Sequence, residues 1–122
     1  MDQRAGRTFR VTARNDIAAL FDRGRRVNDS LLTLLAIRNG LAHSRLAVGV
    51  SGRHGKAAKR NRVKRLCREA FRLIRVELPA GWDFMVMPRP GADLTLTSIQ
   101  GSLRSLAARA TAEAKAASGG AG

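Results

Sequence analysis

The chain has 122 residues, is 44 % hydrophobic, and carries 23 Lys/Arg against nine Asp/Glu, a formal net charge of +14 at pH 7. That length suits one small domain with one core, and the charge calls for a polyanionic partner. No apolar run approaches the roughly 18–20 residues of a membrane span, MDQRAGRTFR lacks the apolar stretch of a secretory signal, and one cysteine makes no internal disulfide, so a cytoplasmic protein without membrane partners is expected.

Residues 1–9 read as a flexible basic arm and 10–112 as a single domain. A short helix is expected over 15–23: Ile17, Leu20 and Phe21 share a face, Asn15 is placed to cap it, and Gly24 stops it. Leu31–Ile37 (LLTLLAI) is nearly continuously apolar, as a strand covered on both faces must be. Asn39-Gly40 then signals a turn, which predicts an antiparallel hairpin with a second strand over 44–51. In that strand Leu46, Val48 and Val50 alternate with Arg45, Ala47, Gly49 and Ser51.

After Gly52-Arg53-His54-Gly55 comes KAAKRNRVKRLCREAFRLIR over 56–75, with nine Lys/Arg and one Glu. Val63, Leu66, Cys67, Ala70, Phe71 and Ile74 recur at helical spacing, so one face is core and Cys67 is a buried, inert thiol. At about 100° per residue, Asn61, Lys64, Arg65, Arg68, Arg72 and Arg75 fall on the opposite arc. Lys59 and Arg60 share the azimuth of the apolar stripe but precede it by a turn, so they overhang the core's end. With Arg53, Lys56 and the free N–H groups of the helix start they form an expected anion site, provided Arg60 is not packed away against the sheet.

Trp82–Met87 is a third main strand, with Trp82 and Phe84 expected in the core, and a last helix starts near Thr97 or Ser98. Residues 113–122, rich in Ala, Gly and Ser, read as a disordered tail. The order of helix, two or three strands, helix, strand, helix predicts an α+β two-layer sandwich with a small sheet.

An active site built from side chains is not legible. The nine acids are scattered, with Asp16, Asp22, Glu69 and Glu77 reading as helix-surface charges beside arginines. His43 and His54 have no Cys, Asp or Glu at metal-ligand spacing, and His54 in its basic loop is open to either phosphate contact or plain solvation. A helix-turn-helix, a zinc finger and a basic zipper are all missing, which disfavours DNA. Single-strand platforms need aromatics, and after Phe71, Trp82 and Phe84 are given to the core only Phe9 and Phe21 remain, Phe21 being equally suited to core. Backbone and shape recognition of a folded RNA is the remaining reading.

Val50-Ser51, Gly55, Ala58-Lys59-Arg60-Asn61-Arg62-Val63-Lys64-Arg65-Leu66 and Arg68-Glu69-Ala70-Phe71 closely resemble the signature of the bacterial ribonuclease P protein subunit. Arg10-Val11, Asp16 to Gly24, Arg45-Leu46-Ala47, Asp83, Arg89 and the closing helix extend the resemblance over about residues 8–110. It implies a protein cofactor of an RNA enzyme that removes the 5′ leader of precursor tRNA, with the catalytic centre and its Mg²⁺ ions in the RNA. It implies a fold like domain 2 of ribosomal protein S5, with a left-handed βαβ crossover. It assigns contact with the catalytic RNA to Arg60, Asn61, Arg62, Lys64, Arg65 and Arg68, to which the anion site at the helix start adds Arg53, Lys56 and Lys59. It assigns the leader to a cleft between first helix and sheet, along Arg10, Ile17, Phe21, Leu35, Ala47, Gly49, Ser51 and Arg89.

The chain departs from the family pattern where Ile17 and Leu35 stand in place of aromatics and Gly52-Arg53 in place of two lysines. Leader contact is therefore expected to rest on arginine and apolar packing more than on stacking. A structural, ribosomal-type RNA-binding protein and a stand-alone Mg²⁺ nuclease are the alternatives.

Overall fold

Leu32 to Ala36 are buried one after another and form the middle of a four-stranded sheet. The structure, a computed structural model, describes residues 9–121, with side chains over 9–112. In chain order it runs α1 (Arg14–Arg23), β1 (Arg25–Asn28), β2 (Leu32–Arg38), β3 (Arg45–Val48), a 3-10 turn (Gly52–His54), α2 (Ala57–Ile74), a second 3-10 turn (Arg75–Glu77), β4 (Trp82–Pro88) and α3 (Leu96–Ala121). This is the expected α+β order, with β1 as the third strand ahead of the basic helix. All of the expected arm but Phe9, and the side chains of the expected tail at 113–122, lie outside the described residues.

The sheet order is β1-β2-β4-β3, antiparallel except for the parallel pair β3 and β4. The expected hairpin of β2 with β3 is therefore not formed. Asn39-Gly40 does turn the chain, with Gly40 at φ 72° and Asn39 Oδ1 accepting from the Leu41 N–H at 2.8 Å. But β4 enters between the two strands and pairs along all of β2, from Leu32↔Pro88 to Arg38↔Trp82. The reason is fit. β4 is a seven-residue run buried on both faces, the match of β2 in length and apolarity, whereas β3 is four residues long. β3 then reaches its parallel neighbour through α2, as a parallel connection requires.

Each sheet face has its own core. Leu34, Ala36, Leu46, Phe84 and Val86 meet Cys67, Phe71 and Ile74 of α2 and Ile99, Leu103 and Leu106 of α3. On the other face Leu35, Ala47 and Met85 meet Val11 and Leu20, with Ile17, Ile37 and Met87 at the border. The α2 stripe is buried as its period requires, Leu66 being half-buried at its edge, and Trp82 and Phe84 are core.

Helix ends follow local chemistry, with two shifts from expectation. α1 starts at Arg14 behind Ala13, which offers no side-chain cap, so Asn15 lies inside the helix. It ends at Gly24, which turns extended with its N–H on the Leu20 carbonyl oxygen, a place where a Cβ would collide with that oxygen. α3 starts at Leu96 because Thr95 and Ser98 cap each other, Thr95 N–H to Ser98 Oγ at 2.9 Å and Ser98 N–H to Thr95 Oγ1 at 3.0 Å.

Candidate RNA interface

α2 is a polycation held by its own core face. Arg53, Lys56, Lys59, Asn61, Arg62 and Arg65 are exposed, while Arg60, Lys64 and Arg68 are half-buried. The helix starts behind Lys56 with no side-chain cap and no acid in its first turn, so its free N–H groups and the nearby cations add their potentials. Arg60 Nε is shielded from solvent without a hydrogen-bond partner.

Several residues stand elsewhere than the sequence suggested. Arg10 bridges to Leu46, and its charge reaches Arg68, whose pKa is lowered by burial and then by repulsion from Arg10. Arg10 thus joins the α2 cations rather than the cleft under α1. Phe9 is not a free stacking residue: the Arg75 guanidinium sits 3.4 Å over its ring and His43 meets it edge-on at 5.0 Å. His54 neither meets solvent nor offers itself to phosphate. It is buried, and because a carbonyl only accepts, its Nε2–H donates to Pro88 O at 2.8 Å.

The face under α1 is built in cross-strand rows. The registers Arg26↔Leu35, Leu35↔Met85 and Ala47↔Met85 set four side chains in one row on this face. Asn28, Thr33 and Met87 form the next row, and a Cβ on Gly49 would lie 3.4 Å from Met87 Cγ. α1 crosses this face with Leu20 fully buried beneath it. Its Asp16, Ala19 and Arg23 line a polar cleft with Ile37, Arg38, Asn39, Arg45 and Asp83. At about 100° per residue, Ile17 and Phe21 fall on the opposite flank, toward the Thr33–Met87–Gly49 row.

Phe21 is 59 % exposed, which removes the core reading for it. Leu35 and Ala47 are buried floor. Ile17 and Met87 pack at the edge of this core, Gly49 lies against Met87, and Phe21 follows Ile17 by one turn on the same flank, while Ser51 and Arg89 continue the lines of Gly49 and Met87 past the strand ends. The sequence reading missed Met87, Arg26 and Asn28. Only the alternation around Val27 in Arg25–Asn28 hinted at the last two.

Four of the acids are paired with arginines. Arg45 holds Asp83 and Asp16, Glu69 pairs with Arg72, and Glu77 with Arg104. Among the described residues no group of three His, Cys, Asp or Glu is placed to hold a metal ion. Cys67 is buried, its thiol pushed up to about 12 by desolvation, which the charge of Arg68 only partly offsets.

The geometry matches known proteins. The ribonuclease P protein component of Thermotoga maritima is 37 % identical over 83 residues, covering 68 % of this chain and 71 % of the relative. That of Brevibacillus brevis is 36 % identical over 106 residues, covering 85 % and 84 %. The solved RNase P protein from Thermotoga maritima superposes with a TM-score of 0.74 at 30 % identity, over 82 % of this chain and 96 % of that one. The RNase P protein from Staphylococcus aureus gives 0.69 at 28 % identity, over 88 % and 95 %. The family described as ribonuclease P matches residues 6–111, nearly the whole described domain, and the chain belongs to that family.

Proposed function

We propose that this chain, as the protein subunit of ribonuclease P, works by binding: it holds the catalytic RNA and the 5′ leader of precursor tRNA while the RNA carries the catalytic centre and its Mg²⁺ ions. Family membership makes it part of an endoribonuclease holoenzyme in tRNA 5′ processing, with ribonuclease P RNA as partner. Among the described residues no helix is long and apolar enough to cross a membrane, and a cytoplasmic site of action fits this role.

The observation that carries the binding reading is α2, whose stripe from Val63 to Ile74 is sunk in the core while Arg62 and Arg65 stand in solvent. A helix so anchored presents cations at fixed spacing, which suits the phosphates of a folded RNA. The start of α2 with Arg53, Lys56, Lys59 and Arg60 is the second contact. By neutralising phosphates these groups lessen RNA–RNA repulsion and so the Mg²⁺ needed for cleavage. The groove between Phe21 and the Met87–Gly49 row takes the leader, through apolar contact and the charge of Arg89.

Precursor tRNA cleavage at low Mg²⁺ tests this, with protein alone, with a bacterial ribonuclease P RNA alone, and with both. Product only in the combined lane is expected. Product with protein alone would mean a self-sufficient nuclease. No gain over RNA alone would leave a structural RNA-binding protein.

A further inference from the structure

We propose that the leader groove continues across β1, where Arg26, with Asn28 beside it, takes a phosphate of the leader backbone, so that this chain grips the leader through charge more than through base stacking. The inference rests on the groove reading above and adds to it a residue outside the set read from the sequence.

Arg26 pairs with Leu35, so its side chain stands on the α1 face, at the end of the row whose floor is Leu35, Met85 and Ala47. Its neighbours Arg25 and Val27 point to the opposite face by strand alternation. Asn28 occupies the same place in the next row, beside Thr33 and Met87. Both are exposed, on an edge strand.

Most arginines around this face have a carboxylate near them, whereas Arg26, like exposed Arg14 on the Phe21 flank of α1, has no ion pair among the described residues. Arg45 is held by Asp83 and Asp16. Arg23 and Arg38 rim the cleft that contains those same carboxylates. Arg89 lies near enough to Asp29 for its charge to lower that carboxyl. The Arg26 side chain has no hydrogen bond or ion pair among the described residues. An exposed, unanswered guanidinium at the end of this face is suited to a phosphate diester, whose charge it meets while exposed Phe21 and half-buried Met87 offer apolar surface to sugar and base.

The chain's own departures give this cation its weight. With Ile17 and Leu35 where aromatics are usual, and Leu35 closed under α1, Phe21 is the one exposed aromatic on the groove. From β1 to β3 the rows cross three inter-strand spacings of about 4.8 Å, roughly 14 Å, which reaches more than one phosphate.

The test uses holoenzyme reconstituted with ribonuclease P RNA, and measures affinity for precursor tRNA with a long leader, with a one-nucleotide leader, and for mature tRNA. Arg26→Ala should weaken long-leader binding by about three- to tenfold whatever the leader sequence, and flatten the log–log salt slope by about 0.7. The one-nucleotide leader and mature tRNA should be unaffected, and Arg26→Lys should keep most of the affinity. Equal loss on mature tRNA would overturn the inference, as would a loss confined to one leader sequence. If Phe21→Ala lowers long-leader affinity and Arg26→Ala does not, the inference fails and the groove stands. If the wild-type protein itself confers no preference for the long leader, the groove reading fails first.

Discussion

Arg45 of β3 holds Asp83 of β4 by two parallel bonds, Nε to Oδ1 at 2.9 Å and Nη2 to Oδ2 at 2.7 Å. Asp83 is 3 % exposed and takes a third bond, from Asn39 Nδ2 at 2.9 Å. The same Arg45 Nη2 reaches Asp16 Oδ2 on α1 at 3.2 Å. The Asp83 bonds lead the effects that raise the Arg45 pKa, so the guanidinium stays charged in its partly buried place. One side chain thereby joins the short parallel pair β3–β4 to the helix whose far flank carries Ile17 and Phe21.

Removing Arg45 should cost far more than removing its outer partner. Arg45→Ala leaves the Asp83 carboxylate buried with Asn39 alone, a loss of about 3–5 kcal/mol. Asp16→Asn, at a side chain 43 % exposed, should cost less than about 1 kcal/mol. The double variant Arg45→Ala/Asp83→Asn should cost less than the sum of its singles. Urea unfolding measures all of these, and an Arg45→Ala variant as mild as Asp16→Asn would contradict the account.

Asp29 should make the fold acid-sensitive. Burial alone would raise its pKa, but bonds from Ser102 Oγ and from the Leu32 and Leu31 N–H groups, with the charge of Arg89, hold it below the ordinary value of 3.8. A depressed folded pKa gives stability that is present above the unfolded pKa and is lost as pH falls through the folded one. Wild-type stability should therefore fall below about pH 4, and Asp29→Asn should be less stable at neutral pH with a shallower acid slope. Urea midpoints from pH 6 down to 3 read this directly. Parallel curves for the two proteins would exclude Asp29 as a source of the slope.

What could be read in the sequence was what one element decides by itself. The burial of Val63, Cys67, Phe71 and Ile74 follows from helical period, and that of Leu32 to Ala36 from an unbroken apolar run. Strand order did not follow, because Asn39-Gly40 has the chemistry of a hairpin turn whether or not the flanking strands pair. The competing partner, β4, lies more than forty residues on. β1 holds one buried residue, Val27, too little alternation to separate it from a loop. Of the interface, the cations of α2 were legible as charge on the arc opposite the stripe. Arg75 on Phe9, His54 under the Pro88 carbonyl and Arg10 beside Arg68 were not, since each depends on an approach between distant segments.

Cys67 should react only when the protein unfolds. It is fully buried, and a thiol pushed up to about 12 has almost no thiolate at neutral pH. Labelling by iodoacetamide at pH 8 should be slow in native protein and fast in urea, and should speed up in Phe71→Ala, whose core loss of about 3–5 kcal/mol raises the open population. Rapid labelling of the native wild type would show that α2 does not seal its stripe.

Arg65 and Arg68 separate charge from packing on the RNA-facing arc. Arg65 is exposed, so Arg65→Ala should leave folding within about 0.5 kcal/mol of wild type. It should weaken binding to ribonuclease P RNA and lower the log–log salt slope by about 0.7–0.9, since one phosphate is no longer neutralised. Arg68 is half-buried and crowded by Arg10, so its replacement has two effects. Arg68→Ala takes a cation away from a phosphate and also relieves a repulsion, and should weaken RNA binding without the stability loss that truncating a packed side chain usually brings. Arg10→Ala should relieve the same repulsion and lower the affinity for the catalytic RNA, with no preference for precursor over mature tRNA. Filter binding across a salt series, beside urea unfolding of each variant, gives both readings. Unchanged affinity and slope for Arg65→Ala and Arg68→Ala together would remove this arc from the interface.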